Sequence, residues 1–448
     1  STGHFTFELD SPLAHSDVDE TGNISLVLPF TVTDGDGDQA AANLTIQVND
    51  DTPTLSLETT SSTIVIHDET PSVQSADGAT DVLGTTSIPF DGGSTTVSAL
   101  FSGVGHKGSD PDVSHDVGGA IGYAVGANGL ANVSVSYGAD GAATSGAEVF
   151  SLTLPADHTD SNLQTTDGHE IYLFNEGGII VGRYDGNDSG TTVTNTGTDP
   201  AAFAITVDPT TGKVYVAQYV SLHHPDAATA GDGFDSYNEA ISLGSGTISL
   251  SVTVTDGDGD SATQAADVSN EIRFLDDCPT VTVSEDRHFS VVLDETPGLQ
   301  SFPFGDDNDN LFSGFFLFPA LPSEVQSAFN SVVNQGNDPD VSSGDKDHGA
   351  LGFAINWFTP ALDVNAVFGA DGPAAHNKEV FSLTLNGVSG QVDSGLQTTE
   401  GKEIYLTLEG GVIVGRVDGD GDGHVSTNDP AAFAISIDDD GHVATAEW

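Results

Sequence analysis

The sequence predicts an all-β protein made of tandem immunoglobulin-like, antiparallel β-sandwich modules in series. Two local patterns lead there. Short stretches alternate apolar residues with Thr, Ser or Asn at the period of two that marks a half-buried strand, and clusters of Gly, Asn and Asp punctuate them as turns. A third observation sets the architecture: the chain repeats itself at an interval of about 230 residues, as tandem modules do. With 37% hydrophobic residues in 448, it has the material for a core. Its length suits two to four domains of roughly 100–200 residues each.

Taken along the chain, the alternation places strands at Ile24–Thr33, 43–48, 133–137, 246–255 and 432–437. One helix is expected, over 323–333, in a stretch that the first copy of the repeat lacks. Many short strands separated by turns argue for sandwiches.

The repeat is explicit in the residues. Glu148-Val149-Phe150-Ser151-Leu152-Thr153-Leu154 returns as Glu379-Val380-Phe381-Ser382-Leu383-Thr384-Leu385. Leu163-Gln164-Thr165-Thr166 returns at 396–399, followed both times by Glu-Ile-Tyr-Leu and an Ile/Val-rich stretch ending Val-Gly-Arg. Asp199-Pro200-Ala201-Ala202-Phe203-Ala204-Ile205 returns at 429–435, and Asp68-Glu69-Thr70-Pro71 at 294–297. One complete copy therefore runs over 51–277 and a second over 278–448, read as stopping short of its own tail. Residues 1–50 read as the C-terminal part of a preceding copy, because Val32-Thr33-Asp34-Gly35-Asp36-Gly37-Asp38 corresponds to Val254-Thr255-Asp256-Gly257-Asp258-Gly259-Asp260. The joints, Asn49-Asp50-Asp51-Thr52-Pro53 and Leu275-Asp276-Asp277-Cys278-Pro279, share an acidic pair, one residue, then a Pro that blocks a central strand. Ser1 opens neither a signal segment nor an initiator Met, so the sequence reads as a piece of something longer.

Charge narrows the function. Lys plus Arg number 9 against 68 Asp plus Glu, a formal charge of -59. So few cations rule against the phosphate contacts that drive nucleic-acid binding and against anionic membrane surfaces. The longest apolar run, around 315–322, falls short of the roughly 20 residues of a spanning helix, so membrane insertion is not expected. Cys278 is alone, so no internal disulfide forms. Either a salt-adapted surface of solvated acids or bound divalent cations must offset the self-repulsion of the carboxylates.

The acids are clustered, which favours cations. Calcium takes six to eight oxygens, and Asp alternating with Gly presents carboxylates on a backbone free to curl. Asp34, Asp36 and Asp38, and their twins Asp256, Asp258 and Asp260, sit in hairpin turns. A Gly-rich hairpin accounts for one Asp-Gly, whereas three alternating Asp repel unless a cation sits among them. The stretch 418–429 fits the calcium-loop pattern, with acids at positions 1, 3 and 5 (Asp418, Asp420, Asp422), Gly423 at 6, the His424 carbonyl at 7, Ser426 at 9 and an acid at 12, where Asp429 replaces the usual Glu. Its first-copy equivalent, with Asp185 and Asn187, is degraded. The joint acids Asp50, Asp51, Asp276 and Asp277 are candidates to bridge to Asp68 and Glu69 and to Asp294 and Glu295. Asp110-Pro111-Asp112 with Asp338-Pro339-Asp340, and Asp140-Gly141 with Asp371-Gly372, recur in register.

These motifs resemble the tandem repeats of giant bacterial repeats-in-toxin adhesins, across essentially the whole chain. The resemblance implies type I secretion, a place at the bacterial cell surface or outside it, a role in attachment and biofilm formation, and Ca2+ as the cofactor that stiffens modules left loose in the low-calcium cytosol. Neighbouring repeats of the same chain are then the expected partners. The glycine-rich nonapeptides and C-terminal secretion signal of that family do not occur here and are expected further along a parent chain.

No Gly-x-Ser-x-Gly elbow, His-Glu-x-x-His or Walker loop is present, and among so many acids any glycosidase pair would be arbitrary, so the reading is not an enzyme. His67 and the pair His223-His224 lack the partners of a transition-metal site. The rival to a stalk is a glycan- or protein-binding module in the second copy, where Phe315, Phe316, Phe318, Trp357 and Phe358 have no first-copy counterpart. The alternative for 311–333 is a local satellite core.

Overall fold

The computed structural model describes residues 4–15, 22–59, 64–75, 78–187, 190, 192–195, 199–225, 240–277, 279–285, 291–293, 295, 323–342, 349–355, 361–376, 378–386 and 390–448. Cys278, Asp294, the acids of 306–310 and the five aromatics just named lie outside them. Nearly all regular structure is strand, and most ladders are antiparallel, with Ile272–Leu275 beside Val65–Asp68 parallel. Two compact units form, one of residues 1–280 with 368–372, the other of 281–367 with 373–448.

The first unit is built on a seven-stranded sheet. Its strands are, in spatial order, Thr159–Gln164, Glu170–Glu176, Ile179–Arg183, Ala201–Val207, Lys213–Gln218, Gly122–Gly129 and Asp81–Val82. Alternation along these strands sends side chains to two faces, and both are covered. On one face Ile171, Leu173, Ile180, Phe203 and Ile205 pack against Phe150, Leu152, Leu250, Val252 and Val254. These last five belong to a three-stranded sheet of Glu148–Thr153, Ser249–Thr255 and Ser261–Asp267, which closes the sandwich. On the other face Val181, Ala204, Tyr215 and Ala217 pack beneath Val97, Phe101 and Val104. With cover on both sides, Ala201–Val207 is buried at every residue. The hairpin of Ile24–Thr33 and Gln39–Val48 forms a two-stranded sheet of its own and is exposed along nearly its whole length.

The second unit repeats the large sheet with six strands, ordered Gly352–Ile355, Val443–Glu447, Ala431–Ile437, Val412–Val417, Glu403–Glu409 and Gln391–Gln397. Its core lies on one face, where Val325, Phe329 and Val332 pack on Phe353, Val414, Ala434, Ala446 and Trp448.

Two expectations need correction. The helix read over 323–333 spans Ser323–Ala328, and its flank belongs to the core of the unit, not to a satellite. The first copy does not lack this element: Val97–Leu100 is helical, and Val97, Phe101 and Val104 repeat the spacing of Val325, Phe329 and Val332. That i, i+4, i+7 set is one helix face. It escaped notice because the residues between the three anchors differ.

Candidate metal centres

The Asp-Gly-Asp-Gly-Asp turn occurs in two settings. In both, the first Asp organises the turn: Asp34 Oδ1 accepts the backbone N–H groups of Asp36, Gly37 and Asp38 at 3.3, 3.2 and 2.9 Å, and Asp256 Oδ1 accepts those of Gly259 and Asp260 at 3.1 and 2.8 Å. Asp34, Asp36 and Asp38 bring their carboxylates within 4.8 Å of one another at a solvent-exposed tip. A hydrogen bond with the Asp36 side chain, followed by the backbone bonds, holds Asp34 below the usual carboxylate range. In the second turn Asp256 and Asp260 are buried while the glycines stay exposed, and its middle acid, Asp258, turns toward the first joint instead.

At that joint Asp258 groups with His15 and Asp50, and Asp50 groups with Asp51 and Asp140, each set within 4.8 Å. The chain fixes this locally. Asp51 Oδ2 accepts the Ala139 N–H, Asp50 Oδ1 accepts the Asp51 N–H at 3.0 Å, and His15 Nδ1 lies 3.0 Å from Asp50 Oδ1. Gly138 has φ 72°, and a Cβ there would collide with the Asp51 carboxylate. Burial, the Asp51 side chain and the charges of Asp258, Asp51 and Asp256 push Asp140 up to about 6, and burial first, then Asp258, raises Asp256. Asp50 Oδ2, Asp256 Oδ2 and Asp258 Oδ1 are buried with no hydrogen-bond partner. Buried, unpaired oxygens of this kind call for a water or an ion.

The second joint reproduces the design. Asp276, Asp277 and Asp371 lie within 4.8 Å, Asp277 Oδ2 accepts the Ala370 N–H at 2.7 Å, and a Cβ on Gly369, φ 74°, would strike the Asp277 carboxylate. Gly-Ala-Asp-Gly at 138–141 and 369–372 is thus one motif used twice. Burial first, then the charge of Asp371, pushes Asp276 up to about 7. Burial also leads at Asp277, raised to about 6 with Asp371, Asp68 and Asp110 contributing. Glu69 is fully buried, with Oε1 accepting from Gln218 Nε2 and the Leu222 N–H and Oε2 unpartnered. Burial and the charge of Asp371 raise its pKa well above the ordinary value. Asp68 is also buried, and its Oδ1 caps the Thr70 N–H. Glu295 lies elsewhere, hydrogen-bonded to Glu447, whose carboxyl burial and that contact push up to about 7.

In the loop 418–429, Asp418, Asp420 and Asp422 come together. Asp418 Oδ1 and Oδ2 accept the N–H groups of Gly421 and Gly423 at 2.8 and 2.9 Å, and those bonds hold it below the usual range. Asp429 does not join the group. Its Oδ2 accepts from the Ser426 N–H and Oγ at 2.8 and 3.0 Å, a turn closure that the shorter acid favours, and His424 donates its N–H to Asp422 at 2.8 Å. In the first copy Asp185 Oδ2 accepts the Gly190 N–H at 2.9 Å and Oδ1 the Asn187 N–H at 3.4 Å, so the loop opening survives, and among the described residues no acid cluster forms there. A buried arginine pins each loop exit. Arg416 pairs with Glu409 through Nε at 2.6 Å and donates to the Asp429 carbonyl, as Arg183 pairs with Glu176 and donates to the Asp199 carbonyl at 2.8 Å.

In the sequence Asp140 and Asp371 stand out only as recurrent and the arginines carry no visible role, although Val-Gly-Arg stands in both copies. The signal at 138–141 was its first glycine, Gly138, which leaves room for the Asp51 carboxylate of a joint far off in sequence. Hard carboxylate oxygens, several of them buried and without a hydrogen-bond partner, are groups that could hold a metal ion. One family model, described as a domain of unknown function (DUF5801), matches the chain twice, over residues 64–269 and 290–447. No curated protein and no solved structure matches.

Proposed function

We propose that this chain, which belongs to the DUF5801 family, is a calcium-stiffened extender segment of a secreted bacterial surface adhesin, serving attachment or biofilm formation as a structural element and not as a catalyst. The observation that carries the reading is the pair of joint clusters, where the same acidic pair meets the same Gly-Ala-Asp-Gly turn in each copy. Asp50, Asp51, Asp140, Asp256 and Asp258 would hold one ion, and Asp276, Asp277 and Asp371 with Glu69 another. The bound ion would neutralise carboxylates that otherwise repel, so that each joint sets only when calcium is present. Sites with dissociation constants of about 0.1–1 mM suit extracellular modules. The tandem motifs that resemble repeats-in-toxin adhesins support the placement outside the cell.

The test is small-angle scattering and calorimetry on the whole chain in EDTA, in calcium and in magnesium. Calcium at a hundredfold excess over its Kd should stabilise by about 2.7 kcal/mol per site, with a longer, less variable particle, and magnesium should do much less. Identical profiles in EDTA and calcium would defeat the proposal.

A further inference from the structure

An all-oxygen site leaves one side chain of the first joint without a role. The His15 side chain is 4% exposed beside those of Asp50 and Asp258, at 2 and 7%, and the three bring ligand atoms within 4.8 Å of one another. The backbone fixes its place, since Asp258 Oδ2 accepts the His15 N–H at 3.1 Å. The ring then turns Nδ1 between two carboxylates, 3.0 Å from Asp50 Oδ1 and 3.8 Å from Asp258 Oδ2. Neither approach is a hydrogen bond: among the described residues both ring nitrogens lack a partner, as do Asp50 Oδ2 and Asp258 Oδ1. Buried imidazoles ordinarily bond through their nitrogens, and the counterpart at the second joint does. Leu13-Ala14-His15 corresponds to Leu222-His223-His224, and each of the two histidines approaches the first acid of its joint, His224 at 3.7 Å from Asp276 Oδ1. The His224 nitrogens, however, lie 3.0 and 3.3 Å from the carbonyl oxygens of Leu222 and Phe274. The corresponding residues, Leu13 and Val48, are both present, yet His15 bonds to neither and faces the acids.

We infer that His15, Asp50 and Asp258 hold a zinc ion, a second metal beside the calcium proposed for this joint. The donor set selects the class. Calcium takes hard oxygens, whereas a neutral imidazole nitrogen suits zinc, which binds nitrogen at about 2.0–2.1 Å and carboxylate oxygen at about 2.0–2.2 Å. Two such ligands at the tetrahedral angle stand about 3.4 Å apart, and the separations from Nδ1, 3.0 and 3.8 Å, fall on either side of that value. The ring binds through Nδ1 and keeps its proton on Nε2, and the fourth position is open to water. Asp50 also groups with Asp51 and Asp140, so its carboxylate lies between the two metals and offers an oxygen to each. Asp258 then belongs to zinc, and Asp51, Asp140 and Asp256 to calcium. The zinc stands on its own ligands and does not depend on the calcium.

Cobalt is the visible substitute for zinc. The whole chain, in excess calcium so that oxygen-only sites are filled, is titrated with Co2+ against a chelating dye of micromolar affinity and read by visible absorption. One Co2+ per chain should give the intense d–d bands of a four-coordinate site, and an equivalent of Zn2+ should bleach them. His15→Gln and Asp258→Asn should each weaken retention by more than about a hundredfold, since even a residue that only supports a ligand is worth roughly ten- to a hundredfold. His224→Gln, whose ring is held by carbonyls, should leave retention unchanged. X-ray absorption of the zinc-loaded parent chain needs no variant and should show one imidazole around the metal. Pale spectra from several Co2+ per chain, displacement by calcium, an all-oxygen shell, undiminished retention in His15→Gln, or an equal loss in His224→Gln would overturn the site. Failure of calcium to stiffen the chain would sink the proposed function and leave the cobalt result standing.

Discussion

A carboxylate whose proton affinity is raised by burial and then by neighbouring carboxylates is a group held ready for a cation, and Asp140, Asp276 and Asp277 are in that state. Asp140→Asn should therefore change sign with conditions. In EDTA it removes a like charge from the first joint and leaves stability equal or higher, and in calcium it removes a ligand and forfeits up to about 2.7 kcal/mol at a hundredfold excess of ion. Calorimetry in the two buffers reads both. A loss of similar size in EDTA would mean that Asp140 acts only as a turn former. The pH dependence follows from the same groups. Folded values near 6 and 7 stand above an unfolded value of about 3.9, so between roughly pH 4 and 7 the folded chain binds more protons than the unfolded one. Stability in EDTA should be greatest at the acid end of that window and fall as pH rises through it, and saturating calcium should flatten the slope. Stability that instead rises toward pH 7 in EDTA would contradict the crowding described at both joints.

Among the elements, the buried Arg–Glu pairs are the costliest to break. Arg416 is fully buried and its bidentate bond to Glu409 holds that acid below the usual range. Arg416→Ala leaves the half-buried Glu409 carboxylate and the Asp429 carbonyl without their charged donor, and should cost the second unit about 1.5–3 kcal/mol in chemical denaturation. A shift under 1 kcal/mol would show that water replaces the guanidinium. Asp418→Asn or Asp420→Asn should lower, in calcium, the melting transition of the second unit and spare that of the first, because among the described residues Asp185 and Asn187 form no such cluster. Equal effects in both units would remove the loop from the list of ion sites. Strands were the legible elements. Alternation marked Ile24–Thr33 and Ser249–Thr255 directly, since one face of each is apolar whether or not anything covers it. The fully buried Ala201–Val207 was legible only through its repetition at 429–435, because a strand covered on both faces loses the period of two. The short helices were half-seen, one of them missed, since three anchors in eight residues make a weak pattern. The loop 418–429 shows the limit of spacing as a guide: it put Asp429 in the ligand set, but a one-carbon-shorter side chain reaches its own Ser426 first.

Across the whole molecule, the repeat was readable because identical segments recur in order, and the joint clusters were not, because their members are brought together by pairing between distant strands. Asp50 borders the start of one copy and Asp258 lies near that copy's end, and nothing in either neighbourhood names the other. That closure has a mechanical meaning. An ion shared by Asp50, Asp51 and Asp258 ties the first residues of a copy to its last hairpin, so tension entering near residue 50 passes through the ion to residue 258 and onward, and roughly two hundred residues between them carry little load. Pulled in calcium, such a copy should lengthen by only the short segment outside the tie until the ion lets go, and in EDTA it should unravel from the start. Force spectroscopy would read the difference as a contour-length step that the chelator removes. The acids at the joints would then act as a fuse, set by the calcium around the chain, between a load and the fold it would otherwise unravel.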